Sequence, residues 1–204
     1  MRRPSVTCIA AAAAAAVALL APAAGHAQQP AETISTVAGT GIATLAGDGG
    51  PASAAGLAAP SDVAALPGGG FLIADTGDHR IRRVAPDGTI ATVAGSGPGA
   101  PSAGAYAGDG GPATAARLRA PRGVAALPDG GFLIADTGND AIRRVAPDGT
   151  IATVAGGPGS EPGRATALAL NAPQGVAALP DGGFLVADTG NHRVVRVDAA
   201  GAAA

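Results

Sequence analysis

The residues of this chain that could do chemistry are few and fall in repeated settings. Three Asp-Thr-Gly triplets begin at Asp75, Asp136 and Asp188. Water activation by paired carboxylates needs two of them in contact, sharing a proton. Three copies at wide, repeat-like spacing set them apart instead. The reading that needs least is structural: an Asp at a strand end caps the N–H groups of the following turn. His79 and His192 occupy equivalent places four residues after the Asp of their triplets, with Asp140 at the third. A metal would accept these side chains, but no close His-x-His or His-x₃-His spacing supports a site. They read as exposed turn residues. Two Gly-Asp-Gly-Gly-Pro loops, at 47–51 and 108–112, look at first like phosphate cradles. No Lys-Ser/Thr follows them, and Pro51 and Pro112 remove a donor. Asp48 and Asp109 give one carboxylate per loop, fewer oxygens than calcium takes. No catalytic residue, metal or cofactor is expected.

Composition narrows the chemistry further. The basic residues are all arginine, so no lysine is available for a Schiff base or phosphate loop. There is no Trp and one Tyr, which argues against a stacking platform for single-stranded nucleic acid. Of 204 residues, 33 are Gly, 17 Pro and 54 Ala, so a core must be built from thin, small-residue layers. Arg2 and Arg3 precede an apolar run at 9–20 that is short for a bilayer span. Small residues Gly25 and Ala27 follow, so residues 1–27 read as a signal peptide cleaved near Ala27. The single cysteine, Cys8, lies inside it, and the mature chain then has no thiol. Without Arg2 and Arg3, 11 Arg face 15 Asp and Glu, a net charge of −4. Nucleic acid is not an expected partner, nor is membrane insertion after cleavage. The protein is expected to be periplasmic or secreted.

The elements that position these residues come from an internal repeat. Gly-Phe-Leu-Ile/Val-Ala-Asp-Thr-Gly recurs at 70–77, 131–138 and 183–190, each time preceded by Val-Ala-Ala-Leu-Pro. A module of constant length is joined by connections of variable length, so the module is packed and the connection is surface loop. In the middle copy, strands are expected at 123–127, 132–136, 141–145 and 150–155, joined by Pro-Asp-Gly-Gly, Thr-Gly-Asn and Pro-Asp-Gly turns. Four short strands on three tight turns make an antiparallel meander. Repeated at this period, such sheets describe the blades of a propeller.

These residues resemble the NHL repeat, a β-propeller blade family. Asn191-His192-Arg193-Val194 is similar to its signature, Asp78-His79-Arg80-Ile81 departs by one residue, and Asn139-Asp140-Ala141-Ile142 lacks its His and Arg. The Gly-Asp-Gly-Gly-Pro loops resemble connections of bacterial and teneurin-type NHL blades. The resemblance implies an all-β fold of three four-stranded blades over residues 34–198, after a short linker at 28–33 and before an Ala/Gly-rich tail at 199–204. It implies an interaction scaffold more than an enzyme.

The third unit has a sequence for three strands only, while residues 34–39 carry a fourth-strand sequence with no first three before it. Three blades do not ring an axis, since closed propellers have about four to eight. The readings are a part of a longer propeller, a homodimer of three plus three blades that exchange N-terminal strands, or an open arc. By antiparallel order, the triplets and the connections between modules fall on one face. The expected binding face therefore comprises Asp75, Asp136, Asp188, Asn139, Asn191, His79, His192, Asp48 and Asp109. Arg82-Arg83 and Arg143-Arg144 alternate across a strand, so one of each pair is expected to reach an adjacent blade's acid and the other solvent. The expected function is binding to a protein or other extracellular ligand through this loop face. A lactonase-like or amidating-lyase-like enzyme with an axial metal is the alternative.

Overall fold

The computed structural model describes residues 33–97, 106–158 and 165–201. The expected signal peptide with Cys8, nearly all of the linker and residues 202–204 of the tail lie outside them. Residues 1–35 and 36–204 are separate compact units, and the architecture below is that of the second.

Eleven strands are described. Blade 1 holds β1 (Pro60–Ala65), β2 (Phe71–Asp75), β3 (Arg80–Val84) and β4 (Ile90–Ala94). Blade 2 holds β5 (Gly123–Ala126), β6 (Phe132–Asp136), β7 (Ala141–Val145) and β8 (Ile151–Gly156). Blade 3 holds β9 (Pro173–Ala178), β10 (Phe184–Asp188) and β11 (Arg193–Val197). Each is an antiparallel meander in chain order. Short turns impose that order: the turn after β3 closes through Gly88 N–H to the Ala85 carbonyl at 2.9 Å, with Gly88 at φ 83°. Each Thr-Gly-Asn/Asp turn is one turn of 3-10 helix, as at Thr137–Asn139.

The blades stand around a common inner edge. β1 lies against β5, and β5 against β9. Leu72, Ala74 and Ile81 of blade 1 pack against Val124, Phe132, Ile134 and Val145 of blade 2. Leu133, Ala135 and Ile142 repeat the arrangement against Phe184, Val186 and Val195 of blade 3. Each blade presents one layer of side chains to the next, which is how a chain poor in large apolar residues still closes its core.

The two ends of the array lack that cover. Val63 is 64% exposed, whereas its counterpart Val124 is 4% exposed. Val194 is 70% exposed, whereas its counterparts Ile81 and Ile142 are fully buried. Residues 34–39, expected as a strand, form none. Their sequence, Ile-Ser-Thr-Val-Ala-Gly, is nearly that of β4 and β8, but an isolated strand has no ladder to hold it, and Ile34 and Val37 are exposed.

Candidate functional site

The Asp-Thr-Gly turn joins β2 to β3, β6 to β7 and β10 to β11, and each of its residues has a structural task. Asp75, Asp136 and Asp188 are fully buried. They do not cap the turn that follows them. Each accepts the N–H of the residue 17 positions earlier, in the connection leading into its own blade: Ala58, Arg119 and Asn171, all at 2.7 Å. The glycine of each triplet returns its N–H to the carbonyl of that same residue at 2.8 Å. A Cβ at Gly77 or Gly138 would lie 2.9 Å or less from that carbonyl oxygen, so glycine allows the approach there. Turn and connection are thus clamped together by Asp and Gly.

The threonine and the residue after the turn couple one blade to the next. Thr76 donates its hydroxyl to the Pro121 carbonyl at 2.7 Å, and Thr137 donates to Pro173 at 2.6 Å. His79 Nδ1 accepts the Ala120 N–H at 2.8 Å, and Asp140 accepts the Ala172 N–H at 2.7 Å. His79, Asp140 and His192 all sit in the left-handed region near φ 51–55°, which aims their side chains across the seam. An imidazole nitrogen and a carboxylate oxygen both accept, which explains why His and Asp exchange here. At the open end of blade 3, the His192 imidazole and Thr189 hydroxyl have no blade to reach. Along the inner edge, Asp62 accepts the Val124 N–H at 2.9 Å, and Ser61 donates to the Arg122 carbonyl at 2.8 Å.

The expected binding face is therefore mostly frame. Asn139 donates to Asp136 at 2.8 Å, and Asn191 donates to Asp188 at 2.8 Å. Blade 1 has Asp78 at this position, so the second oxygen of Asp75 lacks that donor and is left without a hydrogen bond. Burial raises the Asp75 carboxyl above the usual range and the Asp78 charge adds to it, against the opposing pull of the Ala58 N–H and Arg82. Burial likewise raises Asp136, to about 6, against the Arg119 N–H, Asn139 and Arg143. At the open end Asp188 is lowered: burial acts upward, but the Asn171 N–H, Asn191 and Arg193 outweigh it.

Asp48 and Asp109 do not project from the loop face either. Their loops run along the outer strand of each blade, where the Gly49 N–H meets the Ile90 carbonyl and the Gly110 N–H meets Ile151, both at 2.8 Å. From there Asp48 reaches Arg82 at 2.7 Å, and Asp109 reaches Arg143 at 2.5 Å. Both arginines are buried and also face Asp75 or Asp136. The expected bridge to an adjacent blade is corrected: the acids belong to the arginine's own blade and the loop entering it. Tyr106 stacks on Arg143, 4.8 Å from ring centre to guanidinium. Blade 3 lacks the loop, and Val195 stands where the arginine would be.

The other arginine of each pair does face outward. Arg144 pairs with Asp129, and Arg196 with Asp181, each acid coming from the turn between the first two strands of the blade. In blade 1 that turn reads Pro67-Gly68-Gly69-Gly70 and has no acid. Arg83 lines a cleft of about 390 Å³ between blades 1 and 2, with Leu66, Leu72, Phe132 and Val145 among its walls. This cleft opens on the turn face, opposite the Asp-Thr-Gly turns. Sequence reasoning passed over it because its signal is a missing residue, a Gly at a position where two sister turns carry Asp.

Among the described residues no group of three or more His, Cys, Asp or Glu converges on a metal position. The inner strands β1, β5 and β9 carry one carboxylate, Asp62.

A family model for the NHL repeat matches residues 57–84 and 170–197, the first three strands of blades 1 and 3. The chain carries NHL repeats. The NHL match omits blade 2, the copy in which Asp140 and Ala141 replace the signature's His and Arg. No curated protein matches the chain. Similar solved structures include a streptogramin B lyase (TM-score 0.50, 15% identity, covering 72% of this chain and 40% of that one). An auxiliary nutrient binding protein from Bacteroides thetaiotaomicron gives a TM-score of 0.51 and 24% identity, covering 66% and 36%. XC5397 of Xanthomonas campestris, described as a gluconolactonase, gives 0.50 and 16%, covering 72% and 46%. At these identities what is shared is the propeller fold, and this NHL chain spans less than half the length of each.

Proposed function

We propose that this chain is an exported NHL propeller module that acts by binding, and that its binding site is the cleft between blades 1 and 2 on the turn face. The observation that carries the reading is the contrast between the two faces. Most polar side chains of the Asp-Thr-Gly face are committed to the frame, whereas the turn-face cleft, within the usual size of small-molecule sites, holds Arg83 without the acid that its sister arginines have. Nutrient binding, named for one of the similar structures, is a role of this kind on the same fold. The lyase and lactonase neighbours keep the enzyme reading as the alternative, for which an axial metal would need ligands from the inner strands. The test is an NMR screen of small aromatic fragments against the full chain. Shifts at Leu66, Val93 and Phe132 support the reading, and shifts confined to Asn191 and His192 overturn it. Export is tested by sequencing the N-terminus of the exported chain, expected to begin at Gln28.

A second reading concerns the partner. The ends of the array carry opposite halves of the seam already made twice inside it. Blade 3 offers Val194, the Thr189 hydroxyl and the His192 acceptor; blade 1 offers Val63, the Ala59 N–H and the Pro60 carbonyl. We propose that a second copy of the chain joins them, two seams closing six blades, with residues 34–38 of each copy completing the other's third sheet alongside β11. Light scattering on the full chain should then give twice the monomer mass, and Val194→Arg should halve it. A monodisperse monomer sinks the idea.

A further inference from the structure

We infer that the cleft between blades 1 and 2 binds a small monocarboxylate with an apolar body, its carboxylate paired with Arg83; this rests on the cleft being the binding site. Arg83, Arg144 and Arg196 are equivalent, each opposite a leucine of the neighbouring strand: Leu72, Leu133 and Leu185. The partners of Arg144 and Arg196 come from Asp129 and Asp181. Blade 1 has Gly68 in that place, and the exposed Arg83 guanidinium has no hydrogen bond or ion pair among the described residues. Two sister sites thus show which chemistry satisfies this guanidinium: one carboxylate, approaching from the turn.

The cleft supplies the rest of the recognition. A guanidinium presents a planar fork that matches a carboxylate with two parallel hydrogen bonds. One cation balances one negative charge, so a phosphate dianion would keep a charge unmatched. Leu66, Val93 and Phe132 form walls that favour an alkyl or aryl body, and the volume of about 390 Å³ suits a molecule of one ring and a short chain. Gly68 carries the design as much as Arg83 does, because an acid there would occupy the guanidinium permanently.

The experiment restores that acid. A Cβ at Gly68 meets nothing within 4 Å, and Gly68 is not in the left-handed region, so Gly68→Asp fits without strain. Binding of 4-phenylbutyrate and of its uncharged amide, 4-phenylbutyramide, is measured by titration calorimetry on the full chain, the Gly68→Asp variant and the Arg83→Gln variant. The acid is expected to bind the unmodified chain about 10-fold or more tightly than the amide. Both substitutions should remove that preference, while Gly68→Asp leaves the melting temperature unchanged or raised. If acid and amide bind equally, and Gly68→Asp changes nothing, the cleft is a site but its anion assignment is overturned. If neither binds, both readings fall. Should Gly68→Asp misfold, Arg83→Gln decides, since Arg83 is exposed and its removal leaves no buried group unpaired.

Discussion

The same position often takes different residues in the three blades, and each difference is a natural mutagenesis experiment. Asp78 faces Asp75 where the other blades place an asparagine that donates to the buried carboxylate. Asp78→Asn should therefore stabilise the chain, by about 1 kcal/mol from one restored hydrogen bond, read as a higher urea midpoint at unchanged slope. His79 and Asp140 perform one task with different acceptors. His79→Asp should be close to neutral, whereas His79→Ala should cost about 1–3 kcal/mol by leaving the Ala120 N–H without its acceptor. Equal losses for the two variants would show that imidazole packing, not the accepted N–H, holds this seam. Asp136 links stability to pH. Its carboxyl is raised in the fold to about 6 from an ordinary 3.8, so between those values the folded chain keeps a proton that the unfolded chain has released. Stability from this group is full below about pH 4 and declines as pH rises through 6. Urea midpoints of the unmodified chain should fall over that window, and Asp136→Asn should flatten the fall.

At the scale of elements, the buried arginine and the Gly-Asp-Gly-Gly-Pro loop form one device. Blades 1 and 2 have both, and blade 3 has neither. Asp109→Ala removes a partner from a fully buried guanidinium and should cost about 2 kcal/mol. Asp181→Ala breaks an exposed pair with Arg196 and should cost under about 1 kcal/mol. Urea denaturation of the two variants compares them directly. The strands were legible because short apolar runs are bounded by Pro-Asp-Gly and Thr-Gly turns whose geometry fixes the pairing. The expected strands at 132–136 and 141–145 coincide with β6 and β7. What could not be read was where Asp75, Asp136 and Asp188 point. Their partners lie 17 residues upstream, across the whole β1–β2, β5–β6 or β9–β10 hairpin, and local turn chemistry competes for the same oxygens. A carboxylate before a turn looks alike in sequence whether it grips that turn or another segment.

Over the whole molecule, stability should be distributed unevenly along the array. Each buried cluster joins one blade to the next, so blade 2 has two seams while blades 1 and 3 have one each. Amide exchange in β6 and β7 should be slowest and β11 fastest, measured by mass spectrometry on the full chain. For the proposed pair of copies, the β3–β4 register sets Thr92 opposite Arg82, which by equivalence sets Thr36 opposite Val195. Thr36→Cys with Val195→Cys, in a Cys8→Ser background, should give a disulfide-linked dimer on a non-reducing gel. Two free thiols, or a bridge within one chain, would count against it.

The seam also has a direction. Its side chains, Thr76 with His79 or Thr137 with Asp140, belong to the earlier blade, and the backbone groups they bond, at Ala120 and Pro121 or Ala172 and Pro173, to the later one. Two earlier halves would set side chains against side chains, and two later ones backbone against backbone, so neither pairing reproduces the seam. An ancestor that copied one module in tandem would have needed no new contact surface, because the junction between copies was already encoded in each. Such a gene can gain or lose whole modules in frame, while a rearrangement that reverses a module leaves it unable to join the row.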